Sequence, residues 1–122
     1  MRLLKTLKHC LNNPNAASSA STKITIDDAF RLLANDRRRH VIRILSEVDE
    51  EMTIRELSQH LADIENTSRK TVHIALYQTH LPALADGDTP AIRYDTRTGV
   101  ITPTATCHLL DQIRINSEKL LN

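Results

Sequence analysis

Residues 53–85 constrain the fold of this chain more than any other stretch, because they predict two helices joined by a short polar turn. Thr53 and Glu56 fit a capping box, in which each side chain can bond the backbone N–H of the other residue. Apolar residues then follow at helical spacing, at Ile54, Leu57, Leu61 and Ile64. After a polar break, Ser68 can cap a second, longer helix that extends to about residue 85.

The second helix begins with two adjacent cations, Arg69 and Lys70. A short helix, a tight turn and a longer helix that begins with positive charge is the outline of a DNA-reading helix-turn-helix. The sequence therefore predicts that the helix at about 68–85 enters the major groove of DNA.

The composition limits the other possibilities. A chain of 122 residues with 40% hydrophobic content fits one domain with tails. It has no Trp, one Phe and two Tyr, so stacking on unpaired bases is not expected as its main activity. Cys10 and Cys107 form no Cys-x-x-Cys pattern, which favours a reduced, cytoplasmic chain. No apolar run approaches the length of about 18 residues needed for a membrane span.

The charge is divided unevenly along the chain. Residues 1–23 carry four cations and no acid, whereas residues 24–122 hold 12 cations and 15 anions. Residues 1–23 are expected to be a basic tail and linker, although the leucines at its start would also suit a short amphipathic helix. A DNA-binding surface on the remainder must be a local patch of positive charge.

The pattern of residues 24–102 predicts a single folded unit. Helices are expected from Ile26, after a Thr25 cap, and over residues 37–48. Residues 91–102 predict a two-stranded β-hairpin, and residues 103–122 a last helix with Pro103 at its first position. The expected fold class is mainly α (α+β): a winged helix-turn-helix, that is, a helical bundle with a two-stranded β-hairpin wing and a C-terminal helix.

Two runs of residues in the sequence resemble those of known families. The run from Leu33 to Leu45, with its three consecutive arginines, resembles the first core helices of arsenic-repressor-like winged helix-turn-helix regulators. The run Leu-Tyr-Gln-Thr-His-Leu-Pro at residues 76–82 is similar to one in small haloarchaeal winged-helix domains of unassigned function. This resemblance covers about residues 24–102 and implies a prokaryotic transcriptional regulator, with repression as its expected mode.

A helix that begins at Arg69 places small and polar residues along one line, at 100° per residue. That line contains Thr71, Ala75, Gln78 and Pro82, with Ile74, Tyr77, Leu81 and Leu84 along one flank. Gln78 suits an adenine edge and Ala75 a thymine methyl. The predicted DNA-binding residues are Arg55, Arg69, Lys70, Thr71, Ala75, Gln78, Arg93 and Arg97, the last two on the hairpin; a solvated face is the alternative.

Two features of the helices need explanation. Pro82 lacks a backbone N–H and is expected to kink the second helix near Gln78. Arg37, Arg38 and Arg39 oppose the dipole at the start of their own helix, so internal acids such as Asp36, or a phosphate, should offset them.

The last helix carries an apolar stripe with two interpretations. Its members are Leu109, Leu110, Ile113, Leu120 and Leu121. The stripe can pack on its own domain or form a homodimer, which would present two recognition helices to DNA half-sites. A winged helix used for protein contact without sequence-specific DNA binding is the rival function, and the negative charge of residues 24–122 favours it.

No cofactor, metal or enzymatic activity is expected. The histidines and cysteines lack the spacing of a metal site: His73 and His80, for example, lie two helical turns apart. The sequence shows no Ser-His-Asp order and no Gly-rich phosphate loop.

Overall fold

A computed structural model describes residues 23–122, so the predictions for the tail at 1–22 lie outside the described residues. The helices are α1 (Ile26–Leu33), α2 (Asp36–Val48), α3 (Ile54–Glu65), α4 (Arg69–Ala75), α5 (Leu81–Ala85) and α6 (Ala105–Leu121). The strands are β1 (Met52–Thr53), β2 (Ile92–Asp95) and β3 (Val100–Pro103). The described part is thus mainly helical with a small antiparallel sheet, and the predicted α+β class is confirmed at that level.

The predicted starts of α1, α2 and α3 are present, each with a side-chain cap. Thr25 Oγ1 accepts a bond from Asp28 N at 3.0 Å, and Asn35 caps α2 through Arg38 N. The capping box of α3 is complete, with Thr53 Oγ1 accepting from Glu56 N and Thr53 N donating to the Glu56 carboxylate. Asn66 ends α3 in the left-handed region, at φ 54°. Local hydrogen bonding therefore sets the boundaries that the sequence predicts.

The second helix of the pair is not a uniform α-helix. Between α4 and α5 lies a single π-turn, Leu76–His80, in which Leu81 N donates to Leu76 O. Pro82 immediately follows and has no N–H to donate. A wider turn before the proline absorbs the disruption predicted for this helix. We call residues 69–85 the segmented helix.

The sheet has three strands in the order β1-β3-β2, one more than predicted. The short β1 pairs with β3 through Met52 and Ile101, which places the hairpin against the start of α3. Pro103 belongs to β3 and pairs with Ile92. The expectation that Pro103 opens the last helix was therefore wrong, and α6 begins at Ala105.

One hydrophobic core joins the helices to the sheet. Fully buried residues come from α2, α3, the segmented helix, the sheet and α6; among them are Leu45, Leu61, Leu76, Leu84, Ile101 and Leu110. None of the helices in this part of the chain is long and apolar enough to cross a bilayer.

The core uses part of the apolar stripe that the sequence predicts on the last helix. Leu110 is wholly buried and Ile113 packs against the same core, so the predicted dimerisation stripe is partly used inside its own domain. Leu109, Leu120 and Leu121 remain exposed. On α1, Ala29 and Leu32 are buried, whereas Phe30 is 60% exposed. Because Leu110 fills the domain's own interior, it is not available to a partner.

Candidate nucleic-acid interface

The predicted DNA-binding residues lie on α3, the segmented helix and the β2–β3 hairpin, and most are exposed. Arg55, Lys70, Thr71, Gln78, Arg93 and Arg97 are exposed; Arg69 and Ala75 are half-buried. Ser68 Oγ accepts from Thr71 N at 3.1 Å, which fixes the start of the segmented helix. The cap orients the first turn, from which Arg69 and Lys70 project.

The outward face of the segmented helix is broader than the predicted line. Leu81 and Leu84, expected along one apolar flank, are buried in the core. Ile74 and Tyr77, assigned to the same flank, are 45% and 52% exposed. The two pairs differ in burial because the π-turn adds residues per turn and so shifts the faces of the helix that follows it.

The cations of this region are not ion-paired to any described residue. Arg55, Arg69, Lys70, Arg93 and Arg97 make no ion pair with any other residue of 23–122. Lys23 and Lys119, near the two ends of the described chain, likewise make none within it. Five arginines on α1, α2 and α6 do have carboxylate partners: Arg31, Arg37, Arg39, Arg43 and Arg114. We call the five unpaired cations of α3, the segmented helix and the hairpin the positive patch; Glu56, Asp63 and Asp95 lie on the same elements.

The hairpin is held firmly to the start of α3. Ile54 N donates to Gly99 O at 2.8 Å, and Gly99 has φ +77°, a conformation that favours glycine. A Cβ added to Gly99 would lie 3.3 Å from Ile54 Cγ2. At the tip, Asp95 Oδ1 accepts from Arg97 N at 2.9 Å and so shapes the turn that carries the Arg97 side chain. The hairpin therefore has a fixed position relative to α3.

The base of the hairpin is also anchored to the segmented helix. Ala91 N donates to Leu84 O at 2.8 Å, and Ile92 is buried. Burial raises the pKa of the Tyr94 phenol, and the nearby Tyr77 phenol raises it further. The phenols of Tyr77 and Tyr94 therefore lie near each other.

A cluster of charged residues lies behind the segmented helix, where α2 meets α3. Arg37 Nε donates to Glu65 Oε2 at 2.8 Å, and this pair holds the pKa of the Glu65 carboxyl below its ordinary value. Arg38 donates to the carbonyl of Leu32 at 2.9 Å, and its Nη1 lies 3.5 Å from Nδ1 of the buried His80. Desolvation, with Arg38 and Arg37 nearby, lowers the pKa of His80.

This cluster shows what offsets the charge of the consecutive arginines at the start of α2. Internal pairing, one of the two possibilities that the sequence left open, offsets the charge of Arg37 and Arg39, with Asp36 as the partner of Arg39. The partner of Arg37 is Glu65, 28 residues away, and no local pattern indicated it. The cluster joins α2 to α3 and to the π-turn.

A Ser-His-Asp hydrogen-bonded chain, which sequence order did not suggest, joins α2 to α6. Ser46 Oγ lies 2.9 Å from His108 Nδ1, and His108 Nε2 lies 2.7 Å from Asp49 Oδ1. Asp49 adopts φ 54° at the end of α2, which turns the chain at that point. Both ring nitrogens of His108 have partners inside the domain, so the arrangement fixes α6 against α2.

Cys107 is buried, and the described residues contain no cluster of metal-ligating side chains. Within residues 23–122, no three His, Cys, Asp or Glu side chains gather in a way that could hold a metal ion. Burial raises the pKa of the Cys107 thiol to about 12, and its Sγ contacts Ile42 O. A thiol with that pKa stays protonated at neutral pH and is a poor nucleophile.

Comparison with known proteins gives a family but no activity. Neither the curated proteins nor the solved structures include a match to this chain. One family profile matches residues 30–102, which include α2, α3, the segmented helix and nearly all of the hairpin, together with half of α1. The chain therefore belongs to the family described as a domain of unknown function, DUF7344.

Proposed function

We propose that this protein is a DNA-binding transcriptional regulator with a winged helix-turn-helix fold. The observation that carries the proposal is the set of unpaired cations on three adjoining elements, α3, the segmented helix and the hairpin. Phosphate contacts supply most of the salt-dependent affinity of such proteins. The proposal assigns the chain a binding function in the cytoplasm, without catalysis and without a cofactor.

In this proposal each element has a separate role. The segmented helix lies in the major groove, where Thr71, Gln78 and neighbouring side chains meet base edges. Arg55, Arg69 and Lys70 contact phosphates and fix the register of the helix on the duplex. The hairpin is the wing, and Arg97 at its tip contacts the backbone or the minor groove.

Selection from random duplexes at two salt concentrations tests the proposal. We expect enrichment of a sequence and an affinity that falls steeply between about 50 and 200 mM salt. Arg69→Glu should weaken binding by more than tenfold, since it removes a phosphate contact and adds repulsion. Arg43→Glu is the matched control, because Arg43 lies on α2 and already pairs with Glu47.

The outcome that contradicts the proposal is equally definite. If the wild-type protein enriches no duplex and shows no salt dependence, the unpaired cations do not form a DNA-binding surface. Equal losses from Arg69→Glu and Arg43→Glu would also contradict it, because the effect would then reflect net charge alone.

A different surface supports a homodimer as part of this proposal. A groove of about 580 Å³ between α1 and the end of α6 is lined by Phe30, Leu33 and Leu121 together with ion-paired polar residues. Ile26, Phe30, Leu120 and Leu121 are each at least 60% exposed. We propose that a second copy of the chain occupies this surface in a homodimer, which leaves both positive patches open to DNA.

A further inference from the structure

The centre of the outward face of the segmented helix is apolar. Val72 and Leu76 are fully buried, and Ile74 is 45% exposed. Ile74 lies two positions from each of them, which is roughly 160° around the helix axis. The side chain directly opposite the core is therefore a branched hydrocarbon, and Tyr77 continues the same face one turn later at 52% exposure.

The surroundings of this pair are polar and positively charged. Lys70 lies one turn before Ile74, and Thr71 and Gln78 lie along the adjacent line of the same helix. Lys70 makes no ion pair within residues 23–122. A small apolar centre bordered by hydrogen-bonding and cationic side chains matches the major-groove edge of thymine, which presents a methyl group beside an acceptor oxygen and flanking phosphates.

The size of the apolar centre argues against a protein partner at this position. Two partly exposed side chains offer far less apolar area than the roughly 800 Å² per partner of a standard protein interface. They suffice for contact with one or two base methyl groups, each of which is comparable to a single buried carbon. Duplex DNA is thus the occupant that the dimensions and the charge both favour.

We propose that Ile74, extended by Tyr77, contacts the 5-methyl group of thymine, so that the preferred duplex carries thymine beneath the middle of the segmented helix. The inference rests on the proposed function and adds to it a specificity determinant. It replaces Ala75 as the methyl-contacting residue, since Ala75 is half-buried at the edge of the exposed face.

Replacement of thymine by deoxyuridine in the selected duplex tests the proposal, because it removes only the methyl group and keeps the base pair. We expect wild-type affinity to fall about three- to tenfold at one or two thymine positions. Ile74→Ala should bind the thymine duplex as weakly as the wild type binds the deoxyuridine duplex. Ile74→Ala with the deoxyuridine duplex should lose no more affinity than either change alone, as expected for two groups that contact each other.

Ala75→Gly and Gln78→Ala are the matched controls on the same helix, and circular dichroism checks that every variant is folded. Both controls should keep the ratio between thymine and deoxyuridine duplexes. Loss of that ratio in Ala75→Gly, with retention in Ile74→Ala, would assign the methyl contact to Ala75 and overturn the proposal.

Two further results separate this inference from the proposed function. A selected duplex without thymine, or equal binding of thymine and deoxyuridine duplexes, refutes the methyl contact and leaves DNA binding intact. Failure of the wild type to enrich any duplex refutes the proposed function, and the methyl contact with it.

Discussion

His80 is a buried histidine beside two arginines, and this placement makes the stability of the fold depend on pH. Its imidazole lies 3.5 Å from the Arg38 guanidinium, and burial together with these cations lowers the pKa of His80 below its ordinary value of 6.5. The unfolded chain therefore binds the proton more readily than the folded one. The stabilising effect of a neutral His80 is complete above about pH 6.5 and is lost as the pH falls below that value.

We expect the free energy of unfolding of the wild type to fall between pH 7.5 and 5.5 by more than that of His80→Gln, which cannot take up the proton. Urea unfolding at several pH values measures the difference, and NMR titration of the imidazole reports its pKa directly. A difference between the two proteins that stays constant with pH would show that His80 does not titrate in this range.

At the scale of elements, the capping box of α3 can be tested by itself. The hydroxyl of Thr53 accepts from Glu56 N at 3.1 Å, and the backbone N–H of Thr53 donates to the Glu56 carboxylate. Loss of such a cap costs about 1 kcal/mol, so Thr53→Ala should lower the thermal midpoint by about 4–8 °C. Thr53→Ser keeps the hydroxyl and is the control in a thermal melt. Equal effects of the two substitutions would attribute the loss to the methyl group or to strand β1.

The elements also show what a sequence pattern can predict. Caps and apolar spacing gave α1, α2 and α3, because those boundaries depend on residues three or four positions apart. Strand β1 was missed because it has two residues and exists through its pairing with Ile101, far along the chain. The π-turn was missed because Pro82 predicts a disruption without indicating how the backbone accommodates it.

The candidate site was likewise predictable from the sequence only in part. The positions of Arg55, Lys70, Thr71 and Gln78 on an exposed face followed from a regular helix, and the structure places them there. The burial of Leu81 and Leu84 depends on the altered helical phase after the π-turn, and the Arg37–Glu65 pair depends on tertiary packing. Neither has a signal within one or two turns of sequence.

At the scale of the whole molecule, the positive patch and the apolar groove lie on different sets of elements. The patch uses α3, the segmented helix and the hairpin, whereas the groove lies between α1 and the end of α6. Ion pairs such as Arg39–Asp36 and Arg114–Glu118 neutralise the charges near the groove. A neutral apolar surface with unpaired cations elsewhere suits a twofold contact that leaves both patches available.

The proposed homodimer predicts a concentration-dependent association that depends on the groove. Phe30, at 60% exposure, is the largest side chain in it, so Phe30→Ser should weaken the dimer at least tenfold in sedimentation equilibrium. Leu109→Ser is the matched control, since Leu109 is 40% exposed on α6 and is not among the residues that line the groove. A larger effect from Leu109→Ser would instead assign association to the stripe of α6, and a monomeric wild type at all concentrations would remove the dimer from the proposal.

The proposed homodimer also affects DNA binding. Because two linked segmented helices bind DNA more tightly than one, Phe30→Ser should lower affinity for a selected twofold site without changing which half-site is preferred.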